Sequence, residues 1–142
     1  PVLGVVYDFN RDELFTGIVG RGAQCNGLAI RPSSTQRQQE AVLGTGFPVS
    51  RDFAASALRE FIEQIRNFRK VRLLGSAALS LSYVACGRLD VYTEENIMLW
   101  DVAGGCALVK AAGGRVDLRR GEDYRRPVTV YADNGRLESG SQ

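Results

Sequence analysis

Residues 75–92 read GSAALSLSYVACGRLDVY, and this stretch decides the layout of the chain. Gly75-Ser76 ends one apolar run and opens the next. Ser76 to Cys86 has the length and composition of a buried helix. Gly87 stands just past its end, where a residue of positive φ is favoured. Leu89–Tyr92 follows as a strand. Strand, helix and strand in direct succession are the mark of a parallel α/β layer.

The same alternation extends outward from this stretch. Upstream, Val71–Leu74 reads as a strand. Residues 52–67 place Ala54, Ala57, Leu58, Phe61, Ile62 and Ile65 at helical spacing, with Arg and Glu on the other face. Ala41–Gly46 is a short apolar strand ended by Phe47-Pro48. Downstream, Asp101 to Ala112 reads as a helix closed by Gly113-Gly114. Strands Arg115–Leu118 and Val128–Ala132 then flank a surface loop, GEDYRRP (121–127).

The beginning of the chain has a different pattern. Residues 2–7 and 13–19 are strand-like and joined by the turn-rich DFNRD, which predicts a β-hairpin. A short third strand is expected at Ala23–Cys25. Asn26-Gly27 is a tight-turn signal, with Leu28–Ile30 after it. RPSSTQRQQE (31–40) is polar and irregular, the best linker in the chain. The expected fold is therefore α/β, with α+β character overall: an N-terminal antiparallel β-hairpin, then a layered α/β/α subdomain on a mainly parallel sheet. The division expected is an antiparallel β segment with its linker over 1–40, a remnant of a larger sheet, and an α/β subdomain over 41–142. The hairpin carries no covering helix of its own. With no Met at the start, the chain reads as opening inside a strand of a longer or processed protein.

Composition narrows the chemistry. There is no histidine, which removes Ser-His-Asp and Cys-His catalysis, histidine-ligated zinc and histidine general bases. Chemistry must then run on carboxylates, hydroxyls, Lys or Arg, or on a metal held by oxygen, and oxygen-only sites suit Mg²⁺. The net charge of +2 is too small to argue for a nucleic acid polymer or an anionic membrane. Arg66, Arg69, Lys70 and Arg72 form the one basic cluster, read as a solvated helix end. No run reaches the ~18 apolar residues of a membrane helix, and no signal peptide is evident. Cys25, Cys86 and Cys106 are far apart and form no CxxC pair, so neither a disulfide framework nor a zinc knuckle is expected. A reducing cytoplasm is the expected compartment.

Two places could carry chemistry. The Gly75-Ser76 turn opens a helix, and a helix N-terminus offers free N–H groups to an anion. A simple cap by Ser76 explains the same residues. In EENIMLWDVAGG (94–105), Asp101 fits an N-cap favoured by the helix dipole and equally an oxygen ligand for a metal; Trp100 fits the core. Glu94 and Glu95 lie nearby at a strand end. Both places fall where strands give way to helices, the edge at which open α/β sheets bind ligands. The remaining acids read as structural. Asp8 and Asp12 shape the hairpin loop, Asp90 makes a hydrogen bond, and Asp117, Glu122, Asp123 and Asp133 are loop or surface residues.

Taken together, four stretches resemble the inositol monophosphatase family. WDVAGGCALVKAAGG (100–114) resembles its C-terminal W-D-x-A-[AG]-G signature, which ends in E/K-A-x-G-G. GVVYDFNRDELFTGIVGRGAQCNGLAI (4–30) resembles its central hairpin and following turn. LGTGFP (43–48) resembles the strand opening its C-terminal subdomain, and GSAALSLSYVACGRLDVYTE (75–94) the segment lining its substrate pocket. The fold implied is that of the C-terminal half of sugar phosphatases. Members are Mg²⁺-dependent, lithium-sensitive phosphomonoesterases. The resemblance makes Asp101 a metal ligand, Glu94 the acid that receives inositol hydroxyls, and Gly75, Ser76 and Ala77 the turn beside the substrate ring. It implies metal-activated water as nucleophile, with a second Mg²⁺ stabilising the leaving alkoxide.

The substrate implied is a small phosphorylated polyol or sugar, inositol monophosphate first. Alternatives are a 3′-phosphonucleotide, fructose bisphosphate or histidinol phosphate, or no substrate at all in a truncated paralogue serving as an interaction module. The family's remaining metal ligands lie in a glutamate-bearing helix and a D-P-[LI]-D-G-T segment, and neither motif occurs here. One aspartate cannot hold a Mg²⁺ pair, so these 142 residues alone are expected to be inactive. Glu95, Asn96 and Ile97 replace a stretch that often carries glycine. A homodimer is expected, both from the family and from the bare hairpin edge.

Overall fold

The computed structural model describes residues 1–46, 54–119 and 125–138. Among the described residues two sheets and three helices form alternating layers. The first sheet is an antiparallel meander of β1 (Leu3–Asp8), β2 (Glu13–Ile18), β3 (Gly22–Cys25) and β4 (Leu28–Ala29), in that order. It realises the expected hairpin, third strand and Asn26-Gly27 turn, in which both turn residues have positive φ.

The second sheet contains β5 (Val42–Thr45), β6 (Lys70–Leu73), β7 (Val91–Ile97), β8 (Arg115–Arg119) and β9 (Val128–Asp133), ordered β6-β5-β7-β9-β8. β5 pairs in parallel with β6 and β7, while β9 pairs antiparallel with both β7 and β8. Four strands thus run one way and β9 alone runs back. The mainly parallel expectation holds. The reversal suits the short span from Arg119 to Val128, because parallel neighbours need a crossover of about a dozen or more residues.

Helices α1 (Ala55–Ile65), α2 (Ala77–Ala85) and α3 (Leu99–Ala112) supply the other layers. Ile65 and Phe68, at the end of α1 and just beyond it, pack with Ala41, Leu43 and Val91 on one face of the second sheet. On its other face α2 and α3 share a cluster with Tyr92, Val128, Val130 and Phe15 of β2. Buried residues of α3 include Val102, Gly105, Cys106, Leu108 and Val109. A helix apolar on nearly every side must lie between two layers, and α3 does, with the first sheet on its far side. The approach is close: a methyl on Gly4 of β1 would overlap the carbonyl oxygen of Gly104.

The polar 31–40 stretch is tied down rather than loose. Asn134 donates from Nδ2 to the Thr35 carbonyl at 2.7 Å, the Glu138 amide donates to the Gln36 carbonyl at 2.9 Å, and Ser33 bonds to Asp90. Asp90 also accepts from the Val42 amide at 2.6 Å, the structural role expected of it.

Several expectations need revision. Asp133 is fully buried, not a surface residue. It accepts from Arg115 and from the Gly135 amide at 2.7 Å, so its charge is paired within the sheet. α3 begins at Leu99 after a Met98 cap, which puts Asp101 inside the first turn instead of at the cap. Trp100 is 68% exposed and no part of the core. β7 runs on to Ile97, past the expected end at Tyr92, through a bulge. The expected stop at Phe47-Pro48, the first residues of the 52–67 helix, Glu122, Asp123 and most of the 121–127 loop lie outside the described residues.

Candidate active site

β5 and β7 end side by side, and the chain leaving β6 turns into α2 beside them. A cleft of about 490 Å³ opens at this edge, lined by Gly75, Ser76, Ala77, Tyr92, Glu94, Trp100 and Asp101 among others. All five residues expected at the site therefore face one cavity, although they come from two separate stretches of chain. The volume falls in the range of small-ligand pockets, roughly 300–1,000 Å³.

Each side of the cleft has a local cause. Gly75 has φ +71°, a left-handed turn that glycine enters freely. That turn lets Ser76 cap α2, its hydroxyl oxygen accepting from the Leu79 amide at 3.3 Å. The capping role is therefore real, and the first turn of α2 still faces the cleft through Ala77 and Ala78. Across from it, Asp101 sits in the first turn of α3, where the positive end of the helix favours a carboxylate. It is exposed and forms no ion pair among the described residues. Trp100 forms the rim beside it.

Glu94 is held differently. The hydroxyl of buried Tyr92 donates to its Oε2 at 2.6 Å. Burial and the neighbouring Glu94 both push the Tyr92 hydroxyl far above the usual phenol range, so it stays protonated and remains a donor. Thr45 fastens the strand end alongside, donating to the Thr93 carbonyl at 2.7 Å. Glu94 also borders a second cleft of about 380 Å³ against α1, where Glu60, Gln64 and Glu95 line the wall. Asn96, in the stretch that departs from the family's glycine, has φ +57°. The position has a left-handed backbone, and asparagine tolerates one better than most residues.

Mg²⁺ needs near-octahedral oxygen coordination from carboxylates, waters and substrate phosphate. Among the described residues Asp101 is the one uncommitted carboxylate in the larger cleft. No group of three His, Cys, Asp or Glu gathers closely enough to hold a metal among the described residues. The residues present do not by themselves fit a catalytic magnesium pair.

A model of the inositol monophosphatase family matches residues 1–141. The chain belongs to the inositol monophosphatase family. Among curated relatives it is 39% identical to the Nus factor SuhB of Haemophilus influenzae over 140 residues, 95% of this chain and 51% of that protein. It is 44% identical to inositol monophosphatase 1 of Solanum lycopersicum over 117 residues, 80% of this chain and 43% of that one. Among solved structures, the inositol monophosphatase of Anabaena (Nostoc) superposes with TM-score 0.84 at 38% identity, covering 96% of this chain and 56% of that one. SaIMPase-II with bound inositol monophosphate gives TM-score 0.80 at 27% identity, covering 96% and 53%. The chain thus spans about half the length of the family members it matches. No helix is long and apolar enough to cross a membrane among the described residues.

The sequence reading missed Tyr92 and Thr45 as part of the site. Strand alternation places Tyr92 on the same face as Glu94, two residues away, and that signal was present in the sequence.

Proposed function

We propose that this chain forms one side of a Mg²⁺-dependent phosphomonoesterase acting in the cytoplasm on a small phosphorylated polyol, inositol monophosphate first. The observation that carries this reading is the convergence of Gly75, Ser76, Ala77, Glu94 and Asp101 on one cleft of fitting size. The α2 terminus offers N–H groups beside the substrate ring. Glu94 receives substrate hydroxyls, since a carboxylate accepts charge-assisted hydrogen bonds. Asp101 is the ligand this chain contributes toward the metal. No other uncommitted carboxylate among the described residues lines this cleft, so further ligands are needed to hold a metal pair.

Phosphate release from inositol monophosphate, a 3′-phosphonucleotide, fructose bisphosphate and histidinol phosphate, with and without Mg²⁺, tests the reading. The 142 residues alone should release none. Turnover by the pure chain at rates typical of enzymes would overturn the incomplete site, and preference for another phosphate would reassign the substrate.

The shortage of metal ligands favours one second reading, a non-catalytic module that keeps the fold. Calorimetry with Mg²⁺ and inorganic phosphate separates the two when the full-length protein is used. Binding only at millimolar levels or weaker, without hydrolysis, favours the module. The unpaired edge of β1 and the apolar face beside it are the surface by which we propose the chain pairs with a second copy.

A further inference from the structure

Glu94 stands at the lip of the cleft, at a bulge where β7 pairing with β9 breaks register. A glutamate in such a place has three free torsions and no reason of its own to point one way. Two features remove that freedom. Tyr92, 1% exposed, reaches up from the core and donates to Oε2 at 2.6 Å. Beside it, Gly46 carries no side chain, and the carboxylate lies across the bare backbone: a methyl there would come within 2.6 Å of both Cδ and Oε1. The φ of Gly46 is not in the left-handed region. Its glycine therefore serves space rather than backbone conformation.

We propose that Tyr92 is a positioning residue. Its buried hydroxyl, with the space left by Gly46, presets the Glu94 carboxylate as an acceptor for a polyhydroxyl substrate before any substrate arrives. Preset acceptors bind better because the ordering cost is met in the folded protein. This rests on the reading of Glu94 as a substrate contact.

The experiment is a set of variants in the full-length protein, assayed on inositol monophosphate. Tyr92→Phe should raise KM roughly three- to tenfold, as loss of one hydrogen bond to a charged group does, with kcat within about twofold. Glu94→Ala should raise KM at least as much, and adding Tyr92→Phe to it should change nothing further, because the two act through one contact. If Glu94→Ala leaves KM unaltered, the substrate reading fails. If Glu94→Ala raises KM but Tyr92→Phe does not, or the two effects multiply, the positioning role fails. A fall in kcat with unchanged KM for Tyr92→Phe also overturns it. Gly46→Ala, whose added methyl would meet the Glu94 carboxylate first, gives a second route and should raise KM in the same way. Independently of turnover, crystal structures of this chain with and without Tyr92→Phe decide the geometry. A carboxylate that leaves its place in the variant supports the proposal, and one that stays put overturns it.

Discussion

The two sheets of this chain stand in opposite circumstances. The five-stranded sheet buries its middle strands β5, β7 and β9 within the chain, against α2 and α3 on one face and against Ile65 and Phe68 on the other, while its edge strands β6 and β8 are more exposed. The four-stranded sheet is covered on one face only. Its outer face shows Leu3, Val5, Tyr7, Leu14 and Ile18, each 41–57% exposed, and β1 is an unpaired edge. The paired positions Leu3–Ile18, Val5–Thr16 and Tyr7–Leu14 make this a continuous patch. The inner sheet is stabilised by burial within the chain itself. The outer sheet depends on its contact with α3 and offers the surface that an aggregating or partner-seeking protein offers.

The largest expected effect comes from breaking the inner layer. Leu81 is fully buried on α2, and its side chain fills the space a side chain at Gly105 would take. Leu81→Ala should cost about 2–5 kcal/mol in urea denaturation, in one cooperative transition. A loss below ~1 kcal/mol would mean that α2 and α3 do not form the common core.

Next comes the seam between the sheets. Gly4→Val would drive a side chain into the Gly104 carbonyl and Leu108. The cost should be about 1–3 kcal/mol, the usual range for overpacking. Hydrogen exchange should show protection lost first in β1–β4 while β5 and β7 keep theirs. Equal loss in both sheets would contradict the dependence of the first sheet on its contact with α3.

A smaller effect is expected at the polar clasp that joins the same layers. Arg88 donates twice to Glu13, at 2.6 and 2.7 Å, and lies over the Tyr83 ring at 5.0 Å. Tyr83 in turn donates to Asp8 at 2.9 Å. Partly exposed and screened, this pair should contribute roughly 0.5–1 kcal/mol. The bonds from Arg88 hold the Glu13 carboxyl below its ordinary value of 4.5. A lowered carboxylate contributes stability that is present above the ordinary value and lost as pH falls through the lowered one. Wild type should therefore lose more stability than Arg88→Met between pH 6 and about pH 3, as read from urea midpoints. Parallel losses would show that the clasp is not coupled to protonation.

The smallest change in stability, within about 0.5 kcal/mol, is expected for Val5→Lys on the outer face. Its effect should appear in light scattering instead, as loss of the dimer. A wild-type chain that is already a clean monomer would remove the proposed second copy.

Much of the fold was legible in the sequence because it depends on local signals. Gly75, Gly87 and Gly113 mark turns and helix ends by their positive φ, and the apolar run of α2 between them is long enough only for a helix. The misread residues share a cause. Asp133 resembled a surface acid because its charge partner is remote in sequence: β8 brings Arg115 alongside from 18 positions away. Asp101 suited a cap, but the helix found its start two residues earlier at Leu99. Trp100 suited a core, yet as the second residue of α3 it lines the cleft and stays exposed.

The sequence by itself determined which segments are strand and helix, which acids are near strand ends, and the family to which the motifs point. These follow from periodicity, turn chemistry and spacing, all of which act within a few residues. Only the tertiary structure decided that Gly46, beyond the end of β5, leaves room for the Glu94 carboxylate on β7 while Asp101 of α3 is left uncommitted among the described residues. That distinction depends on which side chains meet across β5, β7 and α3, and such meetings are set by strand order and packing that no local signal encodes.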